Sequence, residues 1–234
     1  MKNQYFGDLN DYRKYGLLRT LCLNGTIRIL ICWMLTPDDG TSDGRFTDYL
    51  GKPRRWRSYD PALYDSLQAS LVGNQQRRVG VVEQENLVPS ASYFSLLLRD
   101  DNREEYFDLL REESAGSTLI FFDPDNGMEV KSVPPGHRGS HKYLCWKEAS
   151  SFFASGHSLL IYQHFPREKR ESYITLLSQD FNSRMGATKL FSLQTSSVVY
   201  FLLPHPLHDE VLAGAIDSIK NVWGKEFTIR QHST

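Results

Sequence analysis

Cysteine is scarce: Cys22, Cys32 and Cys145 are the three in 234 residues. Their wide spacing gives neither a disulfide framework nor a cysteine-based zinc pattern, and the chain reads as a reduced, cytoplasmic protein. Long apolar runs are missing too. The longest, Ile27–Leu35, contains Arg28 and falls well short of the roughly 18–20 residues a membrane helix needs. The opening stretch, MKNQYFGDLNDYRKYG, is polar and lacks a signal-peptide apolar region. Neither sign of charge dominates, with 27 Lys and Arg against 28 Asp and Glu. Several signatures are also absent. There is no GxGxxG after the first strand, no phosphate-cradling GxxxxGK[ST], no GxSxG nucleophile elbow and no HExxH. The expectation is a protein with no membrane partner, no metal and no cofactor.

What is present suits one α/β domain spanning residues 1–234, since 40% hydrophobic residues suffice to bury a core at this length. Apolar β-rich runs predict strands at Ile27–Met34, Val79–Val82, Thr118–Phe122, Ser158–Tyr162, Lys189–Leu193, Val198–Leu203 and Phe227–Arg230. Amphipathic segments predict helices at Asn10–Leu23, Pro61–Leu71, Ser92–Leu98, Arg103–Glu113, Lys147–Ala154, Arg167–Asp180 and Asp209–Trp223. Alternating strands and helices argue for a three-layer, Rossmann-like α/β fold with a mostly parallel sheet. Only Gln194–Ser197 separates the strands at Lys189–Leu193 and Val198–Leu203. So short a connection holds no crossover helix, so an antiparallel C-terminal hairpin is expected. That arrangement resembles Rossmann-like methyltransferases.

Ligands of open α/β sheets sit at the carboxyl ends of the strands. LIFFDPDNG, Leu119–Gly127, is therefore the first motif to weigh. The strand runs into Asp123-Pro124-Asp125-Asn126, where proline ends the ladder and glycine permits a tight turn. Two acids and an amide are a richer set than a turn needs. In YFGDLNDYRKYGLLR, Tyr5–Arg19, a helix cap accounts for one of Asp8, Asn10 and Asp11 but not all three. Asp11, Lys14, Tyr15 and Leu18 share a helix face. Gln163, His164 and the stiff Pro204-His205-Pro206 loop also follow strands. Charge is segregated. Arg45, Lys52, Arg54, Arg55 and Arg57 face Asp48 alone and interleave with Trp56, a composition that suits phosphate contact with base stacking. Asp100–Glu113 carries seven acids against Arg103 and Arg111.

Three resemblances follow from these residues. Gly7, Asp11 and Lys14, with Asp123-Pro124, resemble the Gly-x-x-x-Asp-x-x-Lys and Asp-Pro-Pro-Tyr motifs of bacterial ribosomal-RNA adenine-N6 methyltransferases, with Asp125-Asn126 standing where that family has Pro-Tyr. Asp123-Pro124-Asp125-Asn126-Gly127 and His205-Pro206-Leu207 resemble the first and last motifs of the uracil-DNA glycosylase superfamily. The whole chain is similar to prokaryotic antiviral DNA glycosylases that remove glucosylated hydroxymethylcytosine from phage DNA. The leading expectation is an enzyme, a DNA N-glycosylase (hydrolase) that flips a modified base of phage DNA out of the stack and leaves an abasic site. The alternative is an S-adenosylmethionine-dependent adenine-N6 methyltransferase. In the leading reading Asp123, Asp125 and Asn10 are catalytic. Asp8, Asp11, Asn126, Gln163 and His205 bind the base, and Lys52, Arg54, Arg55 and Arg57 hold the DNA backbone.

Overall fold

The computed structural model describes residues 1–233 apart from 23, 24, 39, 41–43, 45 and 74–76. Arg45 and part of the Gly40–Gly44 loop therefore lie outside the described residues. Strands β1 (Ile29–Cys32), β2 (Ala91–Phe94), β3 (Leu119–Phe122), β6 (Ser158–His164), β7 (Lys189–Gln194), β8 (Val198–Leu203) and β9 (Thr228–Ser233) form one sheet, ordered β2-β1-β3-β6-β8-β7-β9. β2, β1, β3 and β6 pair in parallel, while β8 is antiparallel to both β6 and β7. β9 then adds antiparallel to β7, extending the expected hairpin by a third strand. A second ladder of two-residue strands, β4 (Gly127–Met128) and β5 (Tyr143–Leu144), closes the loop between them.

Alternation along the strands builds two cores. Ile29, Ile31, Leu119, Phe121, Leu160, Tyr162 and Tyr200 face one side of the sheet. There they meet α1 (Leu9–Leu21), α3 (Pro61–Gln68) and α8 (Asp209–Trp223). Leu30, Cys32, Ile120, Phe122, Leu159, Ile161 and Phe201 face the other side. They pack on α5 (Arg103–Glu113), α6 (Trp146–Ala154) and α7 (Arg170–Met185). β1 and β3 are buried throughout, which is why both read as unbroken apolar runs.

Two expected elements are of the other type. Val79–Val82 forms the N-cap and first residues of a short helix, α4 (Gly80–Gln84), which follows the four-residue α2 (Pro53–Trp56) and α3 along the chain. Its valines are buried, but the sheet edge beside β1 belongs to β2, so α4 has no ladder to join. The segment Ser92–Leu98 supplies β2 instead of a helix. Ala91 and Tyr93 pack on the first core and Phe94 on the second, a period of two that a short apolar run concealed.

α1 is buried on nearly every side, between the sheet and α8. Gly16 makes this possible, because a Cβ there would fall inside the Trp223 indole. Gly16→Ala should therefore destabilise the protein by about 1–3 kcal/mol through overpacking. Gly214→Ala, in an open stretch of α8, should stabilise it by about 0.5–1 kcal/mol through helix propensity. Denaturant midpoints of the two variants check this, and a stable Gly16→Ala protein would contradict the packing described.

Candidate functional site

The amino end of α1 and the carboxyl ends of β3 and β6 enclose a cavity of about 200 Å3. Tyr5, Asp8, Asn10, Asp11, Lys14, Phe46, Asp123, Tyr162 and His164 are among its lining residues. Asp8 caps α1, its Oδ1 accepting from the Asp11 N–H at 2.9 Å. Asp11 Oδ2 accepts from the Gly7 N–H at 3.0 Å and the Tyr15 hydroxyl at 2.7 Å. Asp11 thus fastens the entry turn to the first turn of the helix.

Lys14 is the centre of the arrangement. Its ammonium is buried and donates to Asp11 Oδ1 at 2.9 Å and Asp123 Oδ2 at 2.8 Å. It also lies 4.8 Å from the centroid of the Tyr162 ring, a cation–π contact. Burial alone would drive the proton off Lys14, but Asp11 and then Asp123 outweigh it and raise its pKa well above the ordinary value. The carboxyls of Asp8, Asp11 and Asp123 lie around this ammonium, and the Met1 amine also acts on Asp123. Burial, followed by repulsion from Asp11, lifts the Asp8 carboxyl to about 7. Burial also raises Asp123, against the pull of Lys14. Asp8 is accordingly a carboxylic acid poised near neutrality, in the range that suits a general acid.

The other expected site residues divide. Asn10 lines the cavity with its Oδ1 bonded to Ser197 Oγ at 2.8 Å, which leaves its amide N–H groups for a ligand. Asp125 also lines it but is tied down, accepting from Thr36 Oγ1 at 2.6 Å and lying 2.7 Å from the Met1 amine. Gln163 braces the turn after β3: its Oε1 accepts from the Met128 N–H at 2.7 Å and its Nε2 donates to Asn126 O at 3.3 Å. Gly127 must be glycine there, since φ is 94° and a Cβ would strike the Gln163 amide. Asn126 is exposed, and neither it nor Gln163 is among the lining residues. His205 is at the wrong edge. β8 runs against β6, with Leu203 opposite Leu159 and Val198 opposite His164. The end of β8 therefore lies with the amino ends of the parallel strands, where the His205 N–H donates to Ser158 Oγ.

Lys52, Arg54 and Arg55 are exposed on or beside α2, whereas Arg57 forms a bidentate pair with Asp65 at 2.7 and 2.6 Å. Residue spacing gave no signal for Tyr5, which joins the cavity from the segment before α1, or for Phe46, which joins it from the loop that follows β1. Phe46 is 72% exposed, and its carbonyl accepts from the Leu9 N–H at 3.1 Å. Tyr162 and His164 could have been found as the last residues of a strand whose neighbour carries Asp123.

Among the described residues no group of three or more His, Cys, Asp or Glu is placed to hold a metal ion, and no helix is long and apolar enough to cross a membrane. The sequence matches no protein-family profile and no curated protein. Among solved structures it is similar to protein LPL1258 from Legionella pneumophila, of the family DUF519. The likeness has a TM-score of 0.46 at 9% identity, over 97% of this chain and 98% of that one.

The poised Asp8 carboxyl has a consequence for stability. The folded protein keeps this proton up to about pH 7, whereas the ordinary value is 3.8. Between those values the folded state holds the extra proton, so this group's contribution is fully present below about pH 4 and is lost as pH rises to about 7. Asp8→Asn keeps the cap and removes the titration. The stability difference between variant and wild type should rise over that window, by at most about 1.4 kcal/mol per pH unit. Parallel curves from chemical denaturation would contradict it. Lys14→Met should cost about 3–5 kcal/mol in the same measurement, because two buried carboxyls lose their cation.

Proposed function

We propose that this protein is a DNA glycosylase that accepts a base extruded from the duplex and hydrolyses its N-glycosidic bond. The observation that carries the reading is a cavity of about 200 Å3 holding an ion-paired carboxyl, Asp123, and a carboxyl poised near neutrality, Asp8. The volume matters. An apolar cavity of about 150 Å3 admits benzene, so this one suits a single heterocyclic base. Cofactor-sized ligands occupy roughly 300–1,000 Å3.

In this mechanism extrusion costs a few kcal/mol of unstacking. Phe46 and Tyr5 at the lining offer rings for the displaced base to stack on. As the C1′–N bond breaks, positive charge grows on the sugar and negative charge on the base. The Asp123 carboxylate, oriented by Lys14, faces the sugar and positions water for attack at C1′. Asp8 gives its proton to the leaving base, and water supplies hydroxide to C1′ and returns a proton to Asp8. The Asn10 amide donates to the base. Asp11 acts through Lys14 as a positioning residue, and Asp125 holds the turn on which Asp123 sits. The antiviral setting and the modified base of phage DNA come from the resemblance of the chain to prokaryotic antiviral glycosylases. A glucosyl substituent would project from the cavity towards solvent beside Phe46.

One observation favours methyl transfer: β8 inserted antiparallel between β6 and β7 is the strand arrangement of Rossmann-like methyltransferases. The crevice between β1 and β3 is where such a fold would hold its cofactor. Here Met1 fills it, its amine donating to Met34 O at 3.2 Å and Asp123 O at 2.9 Å while its carbonyl accepts from Thr36 N–H at 2.9 Å. Met1 thus stands where S-adenosylmethionine would lie in such a fold.

The test is mass spectrometry of small molecules released from unmodified DNA and from glucosylated-hydroxymethylcytosine phage DNA, without added cofactor. A free base and alkali-labile sites are expected from one of them. Asp123→Asn should slow release by about 10²–10³-fold and Asp8→Asn by about 10²–10⁴-fold. The rate should fall as pH rises through about 7, where Asp8 loses its proton. Absence of released base from both DNAs, with micromolar calorimetric binding of S-adenosylmethionine, would overturn the reading in favour of methyl transfer.

A further inference from the structure

The near-zero net charge conceals a polar molecule. On one face, α5 and the loop before it present Asp101, Glu104, Glu105, Asp108 and Glu112 around a shallow groove. Across the sheet, two adjoining grooves share Arg55 and Lys225. Arg54 lines the first of these and Arg170 the second. All four cations are exposed, and among the described residues none has a carboxylate partner. Arg55 and Arg170 lie flat instead, over the rings of Trp56 at 4.8 Å and Phe165 at 5.0 Å. Glu226, in the wall of the second groove, is already held by Arg13 at 2.5 Å and Tyr59 at 3.2 Å.

The strip also has a defined position. Its second groove is lined by Thr195 and Ser196 of the β7–β8 turn. The next residue, Ser197, bonds Asn10 of the cavity. Val198 pairs with His164, so this turn lies at the same sheet edge as Asp123. The Ser197–Asn10 hydrogen bond therefore ties the turn that lines the groove to a residue that lines the cavity. Uncompensated cations cost stability through mutual repulsion and gain from a polyanion that releases its counterions.

We infer that the strip formed by Arg54, Arg55, Lys225 and Arg170 binds the sugar–phosphate backbone of DNA beside the cavity. The inference rests on the reading that a base of that DNA enters the cavity. It differs from the stretch that sequence alone suggested. Arg57 drops out because Asp65 neutralises it, while Lys225 and Arg170 enter from distant parts of the chain.

The test is fluorescence anisotropy with a labelled duplex oligonucleotide across a salt series. The variant combines Arg55→Gln, Arg170→Gln and Lys225→Gln. A control combines Arg111→Gln, Lys147→Gln and Arg184→Gln, exposed positions on α5, α6 and the far end of α7. The strip variant should bind at least about 10-fold more weakly, and its log–log salt slope should fall by about 2–3. The control should match wild type. Equal weakening of both variants, an unchanged slope, no binding by wild type, or tighter binding of an RNA duplex than DNA would each overturn the inference. Base release separates the two claims. Strip-dependent DNA binding without released base leaves the surface standing and removes the glycosylase. Released base with binding indifferent to the strip does the reverse.

Discussion

A buried ammonium group governs this structure. Lys14 lies inside the protein, and its desolvation is tolerable only because Asp11 and Asp123 accept from it directly. Those two partners come from parts of the chain more than a hundred residues apart. The pair therefore fixes where the first helix sits on the end of β3, and the cavity is the space left around that junction. The surrounding features serve the same end. Asp8 caps the helix, Asp11 ties down the Gly7 turn and Tyr15, and Gly16 lets Trp223 cover the helix from outside. Burial makes a charge on the Asp8 carboxyl expensive, and repulsion from Asp11 adds to the cost. Asp8 relieves it by keeping its proton towards neutrality. The acid that the proposed chemistry needs thus arises from burying the helix cap beside Asp11.

The sheet topology decides what else reaches this edge. Because β8 runs against β6, its two ends exchange roles relative to the parallel strands. The β7–β8 turn arrives next to Asn10, and the Pro204-His205-Pro206 loop is carried to the opposite edge. Cations from α2, from the turn before β9 and from the start of α7 then gather beside the same turn. A concave, partly apolar cavity and a basic groove are linked through the β7–β8 turn, a layout suited to holding a strand while one of its bases is withdrawn.

Much of this was legible in the sequence where local pattern and burial agree. β8, α5 and α8 have the expected bounds, and the Asp-Pro-Asp-Asn turn follows its strand at the carboxyl edge. The shared helix face of Asp11 and Lys14 was legible too, but the third partner, Asp123, required the fold. β2 was hidden because four residues, with Ala91 and Tyr93 on one core and Phe94 on the other, are too few to distinguish a period of two from a period of 3.6. Val79–Val82 has a strand-like composition, but its valines are buried in the first core from a short helix and its cap. Gln163 reads as a polar group at a strand end, yet its amide is consumed in bracing Gly127 and Met128. His205 was placed by its position after a strand, a rule that reverses when the strand does. Phe46 carries no pattern at all, since its place at the cavity depends on how one loop returns to Leu9.

The claim on which the rest stands is that Lys14 keeps its charge in the interior. NMR of its side-chain ¹⁵Nζ across a pH titration measures this directly. An ammonium resonance protected from exchange, which stays charged through and beyond the ordinary titration range of a lysine, is the predicted result. A Lys14 amine that deprotonates near neutrality, as an uncompensated buried lysine does, would contradict the ion-paired junction and the chemistry built on it.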